Sequence, residues 1–494
     1  MIRLLRRSAL VAVVPLLALT APAIVAAHGL DATYQSRLPL AVYLAGAAGT
    51  VALSFAFVLL RDLRAAPPVV GRALLPPAWL CGVLRAIGLV AWLWIVAQGV
   101  IGGSSDADVG TLFLWVYGWV GLALVSAFIG PAWHWLDPFS TLHDLGATGL
   151  RAAGVGSWER AGYPAWLGRW PAVAGFAFFV WLELVLAGGF GRTLFIVVVG
   201  YTAFTLAMMA QFGRDEWRSH GETFTVWFRL LGRLAPVALA DESGQVRRRS
   251  FPGGLLEGGW TTADIVLVAL AVGSILFDGL SQTTPWYEIF GFPAAPIHTL
   301  QLLAFLGVVA LAALAVVRFV GLAATGAGLL PIAVGYLIAH YLTYLLISGQ
   351  LIVVAISDPF QQGWDLFGTA FHAPSGDFLP PGLVWTLQLA SVVGGHMLGA
   401  WGGHVAAARD LAMARGGATA SRGRSARARR DAAASVAAAS DAARALRLRQ
   451  VPLAVVMVAL TTLTLWSLGQ SIVVDAGEAR GEETSTVSAA ATDG

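Results

Sequence analysis

Residues 331–356 read PIAVGYLIAHYLTYLLISGQLIVVAI, 26 residues without a single Asp, Glu, Lys or Arg and with one histidine, His340, near the middle. Wound as a helix at 1.5 Å per residue, this stretch is about 39 Å long, more than the ~30 Å hydrocarbon layer of a bilayer. Strands run to a handful of residues, so length alone argues for helix. The stretch reads as a membrane span over 328–356, and the rest of the chain follows the same pattern.

The 494 residues are 57% hydrophobic and 12% charged. Soluble domains carry about twice that charge. Nine further apolar runs accompany the first: 38–60, 79–102, 110–130, 170–189, 191–212, 262–281, 298–320, 382–407 and 451–471. The expected fold is therefore all-α, a polytopic membrane helix bundle of about ten spans. Residues 1–27 read as a signal peptide: Arg3, Arg6 and Arg7 form a basic start, an apolar run follows, and Ala21-Pro22-Ala23 and Val25-Ala26-Ala27 are cleavage patterns. If uncleaved, this segment makes an eleventh span. If cleaved, it leaves His28 at the new N-terminus. Cys81 is the single cysteine, which excludes an intramolecular disulfide framework and any cysteine-built metal cluster.

Every one of the 31 basic residues is Arg. Placing 61–78, 131–169, 213–261, 318–327 and 408–450 in the cytoplasm puts 24 of them inside and leaves Arg37, Arg192 and Arg480 outside, with Arg85 within a span. The positive-inside rule selects that orientation, with the mature N-terminus and the acidic tail of 472–494 external and the chain expected in a cytoplasmic membrane. Two inner segments read as interfacial helices, near 131–145 and 219–235. In the second, SHGETFTVWFRLLGRLAP, Ser219 and Glu222 have capping-box spacing, and Phe224, Trp227, Phe228 and Leu231 mark an apolar face. The Ala/Arg-rich loop 409–450 has no apolar face and is expected to be disordered or loosely helical against anionic lipid. It also lacks the interleaved aromatics of a nucleic-acid binder.

DPFSTLHDLG (137–146) and DPFQQGWDLFG (358–368) echo one another. Asp137 or Asp358 can cap a helix whose first residue is the following proline. Their positions on opposite faces fit a 5+5 inverted repeat of the transporter kind; the plain alternative is that Asp-Pro-Phe is a convenient helix restart.

Ionisable groups within spans are costly and mark candidate function. Counted at about 1.5 Å per residue, Glu183, His340 and His396 fall near one depth, roughly 18 Å from the inner end. Tyr336, Tyr344 and Ser348 extend a polar stripe from His340 at multiples of four. Gly394, Gly395, Gly399, Gly402 and Gly403 leave a bare face around His396, with His404 further inward. Glycines permit close helix approach and equally admit a flat cofactor. Three uses are open for this mid-membrane site: hydrogen bonds between helices, solute transport or proton relay, and a metal or haem held by His340, His396 and His404, with copper or zinc suited to imidazole. Asp278, His298, Asp358, Asp365 and His372, joined by His28, are candidates for an external mouth. There is no Gly-rich phosphate loop and no Gly-x-Ser-x-Gly elbow, which excludes an ATP-driven pump and an ordinary serine hydrolase.

AHGLDATYQSRLPLAVYLAGAAGTVALSF (27–55), FGRDEWRSHGETFTVWFRLLGRLAP (212–236), FDGLSQTTPW (277–286) and SDPFQQGWDLFGTA (357–370) resemble a family of bacterial polytopic membrane proteins labelled fenitrothion hydrolase or uncharacterised integral membrane protein. The resemblance would cover about Ala27 to Ala408 and carries no established site residues. It implies hydrolysis of a phosphotriester by a metal-activated water. The residues themselves point first to handling of a small solute or metal ion at the mid-membrane site, with that hydrolase and a haem- or copper-bearing redox protein as rivals.

Overall fold

The computed structural model describes residues 45–46, 48–55, 71–102, 107–155, 161–186, 192–291, 293–420 and 431–470. The signal-peptide reading, His28, most of the 38–60 span and the acidic tail lie outside the described residues. In chain order the helices are α1 (Ala78–Ile101), α2 (Val109–Phe128), α3 (Trp133–Leu136), α4 (Pro138–Ala152), α5 (Trp170–Leu184), α6 (Arg192–Phe212), α7 (Arg214–His220) and α8 (Thr223–Leu231). An antiparallel hairpin, β1 (Val237–Leu239) with β2 (Val246–Arg248), precedes α9 (Thr262–Ser281), α10 (Thr284–Phe290), α11 (Ala295–Val320), α12 (Leu322–Ser357), α13 (Pro381–Ala420) and α14 (Asp431–Leu468). The fold is an all-α polytopic bundle. Eight helices among the described residues are long and apolar enough to cross a bilayer, and α5 is a shorter apolar helix of 15 residues.

Two helices form the centre. α9 starts at a reciprocal capping box in which the Thr261 hydroxyl accepts from the Asp264 N–H and the Asp264 carboxylate accepts from the Thr261 N–H. It is apolar all round and buried over nearly its whole length, as expected of a helix surrounded by others. α12 is the second inner helix and starts six residues before the expected 328. Gly321, at φ +86°, is the whole connection from α11, a backbone angle that glycine adopts freely. Most of the expected 318–327 loop is helical, from Leu322 on, and Pro331 lies inside the helix, packed against Gly395 of α13. By contrast, α1 and α11 turn Trp79, Val83, Ile87, Leu300, Val308 and Leu311 outward, the apolar surface a lipid contact needs.

Segments 131–155, 213–257 and Arg409 meet at one end of the bundle, which is rich in arginine. Arg214 holds both Asp144 oxygens at 2.8 and 2.7 Å, with Arg85 at 3.5 Å. Arg169 takes both oxygens of buried Asp264 at 2.8 Å, and Arg409 donates to the Leu256 carbonyl at 2.9 Å. α13 and α14 extend helically through 409–420 and 431–450, so those parts of the expected loop are ordered helix.

Three local expectations are corrected here. Glu222 itself caps α8 by accepting from the N–H groups of Phe224 and Thr225, while Ser219 bonds back to carbonyls of α7. A carboxylate can accept two amides where the Ser219 hydroxyl would accept one. α8 is also no surface helix: Trp227, Phe228 and Leu231 are buried, and the Trp227 ring lies 6.1 Å from Trp119 and 5.2 Å from Phe176. Its apolar face is satisfied by protein. Finally, Asp137 caps α4 through the Phe139 and Ser140 amides, but Asp358 ends α12 and accepts from Gln362 and Gly363 at 2.8 Å in a turn. The two Asp-Pro-Phe copies therefore differ in structure, and the equivalence that an inverted repeat requires at this motif is missing.

Candidate functional site

α5, α9 and α12 each bring an ionisable side chain to one place. His340 Nε2 lies 2.7 Å from Asp278 Oδ2. Tyr341, the next residue along α12, donates its hydroxyl to Glu183 Oε1 at 2.9 Å and lies 3.4 Å from Asp278 Oδ2. Gln282, one turn beyond Asp278, donates to Asp278 Oδ1 at 2.7 Å. Two carboxylates, an imidazole and a phenol thus form one connected set among otherwise apolar helices. Glu183 Oε2 is buried and accepts no hydrogen bond among the described residues. His340 and Asp278 keep 25% and 15% side-chain exposure, so the pair is reachable while that oxygen is not.

The set lies toward the far ends of α5 and α9. Counting from the arginine-rich starts of their helices, Glu183, Asp278 and His340 are about 20, 24 and 27 Å along, at 1.5 Å per residue. Glu183 and Asp278 thus fall within about a turn of the far ends of α5 and α9, and His340 at the middle of the 36-residue α12. Asp278 was expected at an external mouth apart from His340. Instead the two are hydrogen-bonded, because α12 starts earlier than its apolar run suggests and its histidine sits correspondingly further along.

His396 does not join them. The ideal Cβ of Gly395 would meet the Pro331 carbonyl oxygen at 2.7 Å, and that of Gly335 would meet the Ser391 carbonyl, which fixes the register of α12 against α13. His396 therefore lies beside the Pro331–Gly335 turn, about 8–13 Å of helix from His340. Its ring packs 5.6 Å from Tyr336, and its Nδ1 bonds the Val392 carbonyl of its own helix at 2.8 Å. Gly399 and Gly403 meet α12 backbone as well, at Gly328 and Ala324. The bare glycine face is filled by a helix, which leaves no slot there for a haem. His404 bonds buried Gln450 at 3.0 Å. Tyr344 packs between the main core and a smaller one around Val116 and Ala355.

The remaining candidates lie apart from the set. His298 bonds Gln301 and packs against Phe277, Asp365 accepts from Ser357 and the Ala370 amide, and His372 lies 3.3 Å from Gln350. Among the described residues no three His, Cys, Asp or Glu side chains converge to hold a metal ion. Tyr341 and Gln282 were missed in the sequence. A step of four from His340 picks out Tyr336 and Tyr344, whereas the residue that closes the network is one position on.

An aromatic wall backs the site. α2 is π-helical over Leu112–Leu122, which aims both Trp115 and Trp119 at Phe179, with ring centroids at 4.7 and 5.0 Å. Trp119 also meets Tyr341 edge-on at 6.3 Å. Beyond the wall lies fully buried Glu222, which accepts from Tyr201 at 2.7 Å and from Thr225. Burial, and then the nearby Asp137 charge, push the Glu222 carboxyl above its ordinary range. No protein-family model, curated protein or solved structure matches this chain.

Proposed function

We propose that the protein carries a small solute or cation across the membrane through the Glu183–Asp278–His340–Tyr341 site, with proton exchange at the carboxylates coupled to that movement. The observation that carries this reading is the pair of carboxylates beside one tyrosine hydroxyl, Glu183 accepting from it and Asp278 bonded to histidine, inside apolar helices. Chains of Asp, Glu and His within spans are the usual parts of proton-coupled transporters. The arginine distribution supports a cytoplasmic position for the arginine-rich end, which puts the site nearer the external face. The hydrolase reading needs a metal-activated water, and the described residues offer it no three-ligand cluster.

The test is reconstitution in vesicles holding a pH-sensitive dye, under a clamped potential, with a panel of metal ions and small organic cations and anions added outside. At least one solute should elicit proton movement, and Asp278→Asn and Glu183→Gln should each abolish it. Responses identical in wild-type and Asp278→Asn vesicles across the whole panel would refute the reading.

A further inference from the structure

At the arginine-rich end, α8, the β1–β2 hairpin and α3 line a half-open cavity of about 270 Å³. Its wall carries five arginines: Arg169, Arg218, Arg229, Arg233 and Arg249. Three carboxylates share that wall, those of Asp241, Glu242 and Glu257. Arg169 and Arg218 are held by Asp264 and Asp137, which do not line the space. Arg218 and Arg249 keep only 3% side-chain exposure and are fixed by packing, whereas Arg169 and Arg229 are about a quarter exposed.

Two of the five stand out. Arg233 donates to the Glu257 and Gly258 carbonyls and lies 4.1 Å over the Trp260 ring, with no carboxylate at ion-pair distance among the described residues. Burial pushes its guanidinium down to about 10. Arg229 pairs with Glu242 but keeps its Nε buried and unpartnered. His134 also lines this space. Burial first, and then the charges of Arg218, Arg229, Arg85 and Arg214, push it down to about 3, so it is neutral and adds no charge to the wall.

We infer that this cavity binds a phosphate-bearing anion. Planar guanidinium groups match phosphate oxygens two at a time; four of the five arginines are paired with Asp264, Asp137, Glu242 and Glu257, so Arg233, with the unpartnered Nε of Arg229 beside it, is the cation that such a group would meet. A lipid headgroup and a soluble phosphorylated molecule share that chemistry. The inference is independent of the transport reading, because its residues lie at the other end of the bundle.

The experiment uses the full chain in detergent, with calorimetric titration of inorganic phosphate, glycerol phosphate and short-chain phosphatidic acid, and short-chain phosphatidylcholine as the uncharged control. Saturable binding is expected for at least one phosphate monoester and not for the control. Binding of inorganic phosphate or glycerol phosphate identifies a soluble ligand; binding of phosphatidic acid alone identifies a headgroup. Arg229→Gln should weaken the affinity about tenfold. Glu242→Gln, which removes a negative wall charge, should tighten it several-fold, a gain that misfolding cannot imitate. Absence of saturable binding by all three phosphates, or affinities unmoved by both substitutions, overturns the proposal.

Discussion

Tyr341 has one hydroxyl proton and two carboxylates within reach, and the distances say which one receives it. The contact to Glu183 is 2.9 Å and that to Asp278 is 3.4 Å. A 3.4 Å oxygen–oxygen contact is well beyond the usual 2.7–2.8 Å and retains little hydrogen-bond energy. A hydrogen bond to a charged group is worth about 1.5–3 kcal/mol in soluble proteins, but bonds between membrane helices average only about 0.6 kcal/mol and reach about 1.7. The coupling between Tyr341 and Glu183 is therefore expected near 1 kcal/mol, and that between Tyr341 and Asp278 within about 0.3 kcal/mol of zero, taking the membrane values as the guide. Two double-mutant cycles measure this: Tyr341→Phe with Glu183→Gln, and Tyr341→Phe with Asp278→Asn, followed by reversible unfolding in mixed micelles. Equal couplings, or the larger one at Asp278, would show that the hydroxyl does not point as described.

Neighbouring glycines should respond in opposite ways. Gly395→Ala drives a methyl into the Pro331 carbonyl and should cost about 1–3 kcal/mol, whereas Gly394, with nothing within 4 Å of its ideal Cβ, should gain up to about 1 kcal/mol as alanine; melting temperatures in one detergent decide it. Asp365 gives a pH test. The Ala370 amide and then the Ser357 hydroxyl hold its carboxyl below the ordinary range. Its contribution is thus present above the unfolded-state value near 3.9 and is lost as pH falls through the lower folded value. Protection of the Ala370 amide in hydrogen exchange, taken relative to Asp365→Asn, should persist at about pH 4 and fall away only at lower pH, below the ordinary carboxylate range; protection already lost at about pH 4 would refute the assignment.

The helices were legible because bilayer-length apolar runs leave little choice. Nine of the ten expected spans coincide with described apolar helices, to within a few residues except at the start of α12, the end of α5, and the arginine-rich extensions at the end of α13 and the start of α14. The site was half legible. Glu183 and His340 are visible as charges in apolar helices, but which side chains meet depends on helix register and tilt. Register is set by contacts such as Gly395 on Pro331, which no count from an apolar boundary contains. The same limit explains His396, level with His340 by counting and about 8–13 Å away along the packed pair. α8 was misjudged for another reason: an amphipathic pattern shows that one face must be covered, not whether lipid or protein covers it.

The glycine contacts of α12 and α13 have a mechanical consequence. Backbones that touch at Gly328, Pro331 and Gly335 have no side chains between them to repack, so the pair resists sliding and behaves as one stiff plank. His340 and Tyr341 ride on that plank, whereas Glu183 and Asp278 belong to α5 and α9. Any rocking of the plank against the rest of the bundle must then open or close along the hydrogen bonds of the site itself. The polar cluster ties the plank to α5 and α9 across one of its seams.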